Sequence, residues 1–310
     1  MTAMQLSMGI PSFSAEAPPN WEHLTDWAQL LEGCGFDRLL VSEHIAFGMN
    51  MDAYADPKAG GTKGGRQPTG PDGHWLEPLT TLTYLAARTQ RIRLGTNILL
   101  AALRPAAVLA KTLATMDVLS DGRIDLGVGV GWQREEYDAA GVDFDRRGAI
   151  LDQTLEVCQR FWQDNEVSYT APGLCFERIH QMPKPMQPGG VPIWVSGTVN
   201  RAVARRLARF GKGWIPWGED ARDITGGIAL MRTAVERAGG DPHGFGVTGT
   251  LRVRATADGR PDLADVAANA ASFAKAGVTD LRMTHWPLPG GDRERDVTAL
   301  ADAVRDATGG

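Results

Sequence analysis

Short apolar runs with the character of buried strands alternate along this chain with segments of helical period. The first run covers residues 4–10. After it, Leu24, Trp27, Ala28 and Leu31 fall at i, i+3, i+4 and i+7, one face of a helix that Asn20 would cap and that Gly33 and Gly35 would stop. The same alternation predicts further strands at residues 38–42, 92–99, 124–130, 192–195, 213–217, 245–255 and 279–284. Helical stripes lie between and after them: Leu79, Leu82 and Ala86 behind Pro78, then Leu109, Leu113 and Met116 behind Pro105, which suits a first helical residue. A helix is expected over 146–162, and Val203, Leu207 and Phe210 follow Asn200 on the next one. Ile224, Ile228, Met231 and Val235 form the stripe after that. Leu263, Val266, Ala267, Ala270 and Ala274, and then Val297, Leu300, Ala301 and Val304, complete the set.

Eight β-then-α units predict a single (β/α)8 TIM barrel over residues 1–310, because right-handed parallel crossovers of that number close on themselves. An open doubly wound sheet would more often carry a Gly-rich first turn, and no G-x-G-x-x-G follows the first strand. Two polar, Gly/Pro-rich stretches interrupt the alternation as insertions. One, residues 47–75 after the second strand, is too long for an ordinary βα loop and is a candidate lid. The other, residues 165–190 before the fifth strand, has room for a small hairpin.

In such a barrel the C-terminal ends of the strands converge on one mouth, so chemistry is sought there. The second strand runs into Glu43 and His44; the imidazole can donate a proton or a hydrogen bond to a substrate carbonyl, and Glu43 could orient it or bind the edge of a ring. A structural or capping pair is the plain alternative. Glycines alternate along Gly127, Gly129 and Gly131, where missing side chains would let a flat ligand or another backbone approach. Ser196, Gly197, Thr198 and Asn200 lead from the fifth strand into a helix, as a phosphate cradle or as ordinary N-capping by Thr198 or Asn200. Arg282, His285 and Trp286 at the last strand, with Trp75 at the end of the first insertion, are candidate substrate-pocket residues.

Composition narrows the field. With 43% hydrophobic residues, 310 positions can bury one large core, and a net charge of −5 gives no nucleic-acid footprint and no basic membrane face. Cys34, Cys158 and Cys175 are widely spaced without a C-x-x-C pair, so packing thiols in a reducing compartment are expected. The N-terminus has no basic region before an apolar run, which points to a cytoplasmic protein. Schiff-base chemistry would need a lysine at a strand end, yet Lys111 and Lys275 fall on predicted helices and Lys58, Lys63, Lys184 and Lys212 in connections. The six histidines form no H-x-H or H-x-x-x-H pair, which counts against a metal-dependent hydrolase, and no metal is expected.

Taken in order, Val41-Ser-Glu-His44, Arg91-Ile-Arg-Leu-Gly-Thr-Asn97, Arg104-Pro105, Lys111 through Asp117, Leu119 through Tyr137, Pro192 through Gly197 and Gly211 through Trp214 resemble the luciferase-like monooxygenase family. The resemblance extends over nearly the whole chain outside the two insertions. It implies a TIM barrel holding an isoalloxazine-type ring at its mouth against a bulge after the third strand, which falls at Thr96, Asn97 and Ile98, often with a cis peptide. It implies that Glu43 and His44 stand beside the ring, with His44 the candidate proton donor, and that Gly129, Gly131 and Trp132 also meet it. It further implies that Ser196, Gly197 and Thr198 hold its phosphate. Gly131-Trp132 with Glu135 and Glu136 is similar to the branch using coenzyme F(420), a deazaflavin, although some members of that branch carry glutamate where Trp132 stands. FMN with dioxygen is the alternative, and a non-catalytic flavin-binding relative a further one. A homodimer acting on a small molecule, away from nucleic acid and membrane, is expected.

Overall fold

The computed structural model describes residues 4–284 and 292–309. Its strands in chain order are β1 (Gln5–Gly9), β2 (Phe13–Ser14), β3 (Arg38–Val41), β4 (His74–Trp75), β5 (Arg93–Thr96), β6 (Ile124–Val128), β7 (Val167–Ala171), β8 (Leu174–Ile179), β9 (Ile193–Gly197), β10 (Gly211–Pro216), β11 (Gly246–Leu251) and β12 (Asp280–Met283). The helices are α1 (Glu22–Gly33), α2 (Pro78–Ala86), α3 (Ala106–Leu119), α4 (Arg134–Ala139), α5 (Arg147–Gln163), α6 (Arg201–Phe210), α7 (Glu219–Arg222), α8 (Ile224–Arg237), α9 (Leu263–Ala276) and α10 (Arg293–Thr308). Eight of the strands close a barrel in the order β1-β12-β11-β10-β9-β6-β5-β3, and β3 returns to β1 through Ser7↔Arg38. The expected TIM barrel is therefore the fold.

The helical stripes read from the pattern face the core: Leu24, Trp27, Ala28 and Leu31 of α1, Leu109, Leu113 and Met116 of α3, and Val297, Leu300, Ala301 and Val304 of α10 are all buried. Each such leucine or valine stabilises the fold by roughly 1.5–3 kcal/mol. Element ends differ from expectation by small physical choices. Asn20 stands two residues before α1, accepting from Glu22 N–H at 3.1 Å while Trp21 takes the cap position. Pro105 is the cap residue of α3 and not its first helical residue. Two short elements carry too few residues for a period to show: α4, and the pairing of β2 with β4. Cys34 and Cys158 are buried as expected of packing thiols, but Cys175 lies exposed on the β7–β8 hairpin. No helix among the described residues is long and apolar enough to cross a membrane.

The lower half of the barrel interior is ionic. Arg38, the first residue of β3, is 5% exposed and bonds Asp125 of β6 at 2.8 Å, Asp280 of β12, and Gln5 of β1 at 3.1 Å, with its face on the Trp194 ring at 4.6 Å. Arg93 adds a second bond to Asp125 at 2.8 Å, and Ser7 Oγ donates to Asp280 at 2.5 Å. Because a buried charge is tolerated only when paired and hydrogen-bonded, this network fixes the registers of five strands at once. Arg38→Met should cost about 3–5 kcal/mol by stranding buried carboxylates, read as the fall in unfolding free energy in urea; a loss under about 1 kcal/mol would show that the network carries little. Burial pushes the Asp125 carboxyl up, but Arg38 and Arg93 outweigh it and hold it below the usual aspartate value. Its stabilisation is therefore present above the unfolded value, near ~3.9, and lost as pH falls through the lower folded value. Stability of Asp125→Asn should accordingly fall less steeply with acid than that of the parent chain.

Candidate active site

Above the ionic layer a cavity of about 260 Å³ opens at the C-terminal ends of the strands. Its wall begins at the end of β5. There the Asn97–Ile98 peptide is cis, and the strand bulges before Leu99 re-pairs with β6 through Leu99 N–H to Gly127 O at 2.7 Å. The residues after β3 grip this bulge on both sides. Ser42 Oγ donates to Asn97 O at 3.2 Å, and Glu43 accepts Leu100 N–H and Arg104 Nη2, both at 2.5 Å. Arg104 reaches on to Glu77, the N-cap of α2, at 2.6 Å. Burial pushes the Glu43 carboxyl up, Glu136 adds to that, and Arg104 and the Leu100 N–H partly offset it.

The alternating glycines serve this bulge. A Cβ on Gly127 would stand 2.0 Å from Thr96 O, and one on Gly129 would stand 2.7 Å from Ile98 Cδ1. The room they leave is thus taken by the neighbouring strand, which is a packing reason, while Gly129 and Gly131 still line the cavity. Gly131, at φ 66, makes the turn that sets Trp132 against the cavity.

His44 is nearly enclosed. Its Nδ1 lies 3.4 Å from Glu136 Oε2, and Gln67 Nε2 lies 3.3 Å from its Nε2. Glu136 is 1% exposed, and its other oxygen accepts Ile45 N–H at 2.6 Å. Neither His44 Nδ1 nor Glu136 Oε2 has a hydrogen-bond partner, so the two face each other within ion-pairing range without a hydrogen bond between them. The carboxylate beside His44 is therefore Glu136 and not Glu43, whose oxygens are spent on Leu100 and Arg104. Aromatic rings surround the imidazole: Phe47 at 4.3 Å, Trp75 at 4.9 Å and Trp132 at 5.8 Å between centroids.

The first insertion folds over the mouth. Phe13 of β2 stacks on Trp75 of β4 at 4.3 Å, Trp217 Nε1 donates to Gly61 O at 3.1 Å, and Arg222 Nη2 to Lys63 O at 2.8 Å. Tyr54 and Gln67, both from this insertion, line the cavity together with Trp217. Periodicity could not have found them, because the segment has none. Glu136 was visible beside Glu135, but only the register of α4 shows which of the two turns inward.

Of the residues expected at the site, Glu43, His44, Trp75, Asn97, Ile98, Gly129, Gly131, Trp132, Ser196, Gly197 and Arg282 line the one cavity. Thr96 and Thr198 do not. Thr96 is turned into the barrel, its hydroxyl on Gly127 O at 2.7 Å, and Thr198 is exposed. The turn after β9 is closed by capping: Asn200 Oδ1 accepts from Ala202 and Val203 N–H, both at 2.9 Å, and Asp220 accepts Val199 N–H at 2.7 Å. The N–H groups of Val199, Ala202 and Val203 are thus occupied. His285 and Trp286 lie outside the described residues.

Residues 4–309 match the luciferase-like monooxygenase family. An uncharacterized protein of Mycobacterium tuberculosis is 33% identical over 217 residues, 69% of this chain and 74% of the relative. An F420-dependent glucose-6-phosphate dehydrogenase of Nocardia farcinica is 30% identical over 215 residues, 68% of this chain and 56% of the relative. Among solved structures, an F420-dependent secondary alcohol dehydrogenase in complex with an F420-acetone adduct superposes with a TM-score of 0.75 at 15% identity over 99% of both chains. The monooxygenase RslO1 from Streptomyces bottropensis does so with 0.72 at 19% identity over 98% of both. The barrel, the bulge after β5 and the match over nearly the full sequence together place this chain in the luciferase-like monooxygenase family.

Proposed function

We propose that this chain holds coenzyme F(420) in the barrel mouth and catalyses hydride transfer between it and a small organic substrate, with His44 handling the proton. The observation that carries the reading is His44 itself, which lines the cavity with a buried carboxylate beside Nδ1 and Gln67 at Nε2. The choice of a deazaflavin rests on the similarity to F420-dependent glucose-6-phosphate dehydrogenases. When bound, such a coenzyme supplies a ring carbon that gives or takes hydride without engaging dioxygen.

The residues of this chain fit that group. The Asn97–Ile98 bulge and Gly129 offer a flat wall, while Trp75, Trp132, Tyr54 and Trp217 exclude water. Trp132 Nε1 and Arg282 Nε are buried donors without partners, as expected of a wall built for a ligand with acceptor oxygens. A substrate oxygen that gains a proton as its carbon is reduced would take it from the His44 imidazolium. In the reverse direction the neutral ring accepts it at Nε2. Glu136 stands at Nδ1, so substrate would meet the ring at Nε2. Gln67, held by the insertion that covers the mouth, would yield that position when substrate enters.

Titration of the purified chain with F420 and with FMN, followed by fluorescence of its nine tryptophans, is expected to show tighter binding of the deazaflavin. Saturation by FMN alone would transfer the reading to the flavin-dependent branch, and binding of neither would end it. His44→Asn should lower kcat by about 10²–10⁴ with coenzyme affinity retained. Glu136→Gln should cost less, and the ¹⁵N spectrum of His44 should shift in that variant. An unchanged spectrum would mean that Glu136 does not act on the ring.

A further inference from the structure

Arg282 enters the cavity from β12, which stands opposite β6 in the closed strand order, so it faces the Gly129 wall across the mouth. Its Nη2 donates to Thr250 Oγ1 at 2.8 Å, and its Nε is buried with no partner. Asp280, two residues earlier on the strand, is engaged by Arg38 and Ser7, and no other carboxylate among the described residues comes within ion-pairing distance of Arg282. Burial pushes the guanidinium's proton affinity down, with Asp280 and the Tyr54 phenol partly offsetting it. Arginine nevertheless keeps its charge inside proteins, so the missing counter-ion is a standing cost that a bound anion relieves.

The surroundings define that anion. Trp132 Nε1–H is a second buried donor without an acceptor, and the Tyr54 ring, 5.4 Å from Trp132 and 6.3 Å from Trp217, places aromatic faces next to both. Among the described residues lining the cavity Arg282 is the sole lysine or arginine. One guanidinium fork matches the two oxygens of a monoanion, whereas a phosphate dianion calls for more positive charge. We infer that Arg282 is the anion-binding residue of the substrate subsite, and that the substrate is a planar, largely apolar molecule carrying a carboxylate or an equivalent delocalised oxyanion. The inference rests on the reading of the cavity as a chamber shared by coenzyme and substrate.

Benzoate and its neutral isostere benzamide test it by calorimetric titration into the folded chain. Benzoate is expected to bind roughly tenfold or more tightly than benzamide, and Arg282→Gln to bind the two alike. Equal binding to the parent chain, or a preference that survives in Arg282→Gln, overturns the assignment. Should the glutamine variant not fold, Arg282→Lys keeps the charge without the flat fork and should narrow the preference severalfold; full retention overturns it. The same titration on chain preloaded with F420 separates the sources of the anion. Benzoate binding alongside the coenzyme supports a substrate subsite. Exclusion by the coenzyme gives Arg282 to the coenzyme ring and overturns the substrate assignment while leaving the proposed function standing. Failure of F420 to load is a failure of the proposed function and is read before benzoate is added.

Discussion

A guanidinium in the centre of the barrel sets the terms for everything above it. Arg38 can be charged there only if carboxylates reach it from β6 and β12, and both do, while Trp194 of β9 covers its face. An apolar barrel layer tolerates exchange of one side chain for another of similar volume, but an ion network fails when a single member is lost. The registers that place Ser42, Gly129, Ser196 and Arg282 around one cavity are therefore tied to a polar layer one level below them. That layer fills the N-terminal half of the interior, so the space for a ligand lies at the other end, where the connections are long enough to cover it.

The site then uses one chemical group for two opposite purposes. Glu43 and Glu136 are both buried carboxylates, and Glu136 helps to push the Glu43 carboxyl up. Arg104 neutralises Glu43 and turns it into a clamp on the segment after the β5 bulge. Glu136 has no such cation, and the group beside its free oxygen is the His44 imidazole. A carboxylate matched by a fixed arginine is structural; one whose partner can gain and lose a proton is available to chemistry. The two glutamates are separated by that difference in partner and not by depth of burial.

The fold was legible because it depends on periodicity. The stripes of α1, α3 and α10 and the apolar runs of β1, β3 and β6 repeat often enough to read, and their number implies closure. Within the site, Glu43, His44, Asn97, Ile98 and Trp132 were legible because each sits at or just past a strand end and within a segment resembling the family. Glu136, Tyr54 and Gln67 were not. The first needs the register of a six-residue helix, and the other two lie on a long irregular insertion whose path is set by tertiary bonds such as Trp217 to Gly61. The glycines were read as room for a ligand, yet much of that room belongs to Thr96 and Ile98. A sequence shows that a side chain is missing without showing which neighbour takes the space.

The phosphate turn carries the same ambiguity to a firmer end. Ser196 and Gly197 do face the cavity, but the N–H groups that open α6 are spent on Asn200, and Asp220 holds Val199 N–H. On the proposed reading, recognition of the coenzyme therefore falls chiefly to its ring: to the wall of the bulge, to the aromatic faces, and to the unpartnered donor of Trp132. The Trp132 and Arg282 donors project from opposite sides of the mouth, β6 and β12, so a coenzyme ring meeting the first and a substrate anion meeting the second would approach from opposite walls. His44, at the end of β3, lies between those walls in the strand order, which is where a proton donor to a substrate held between them has to be.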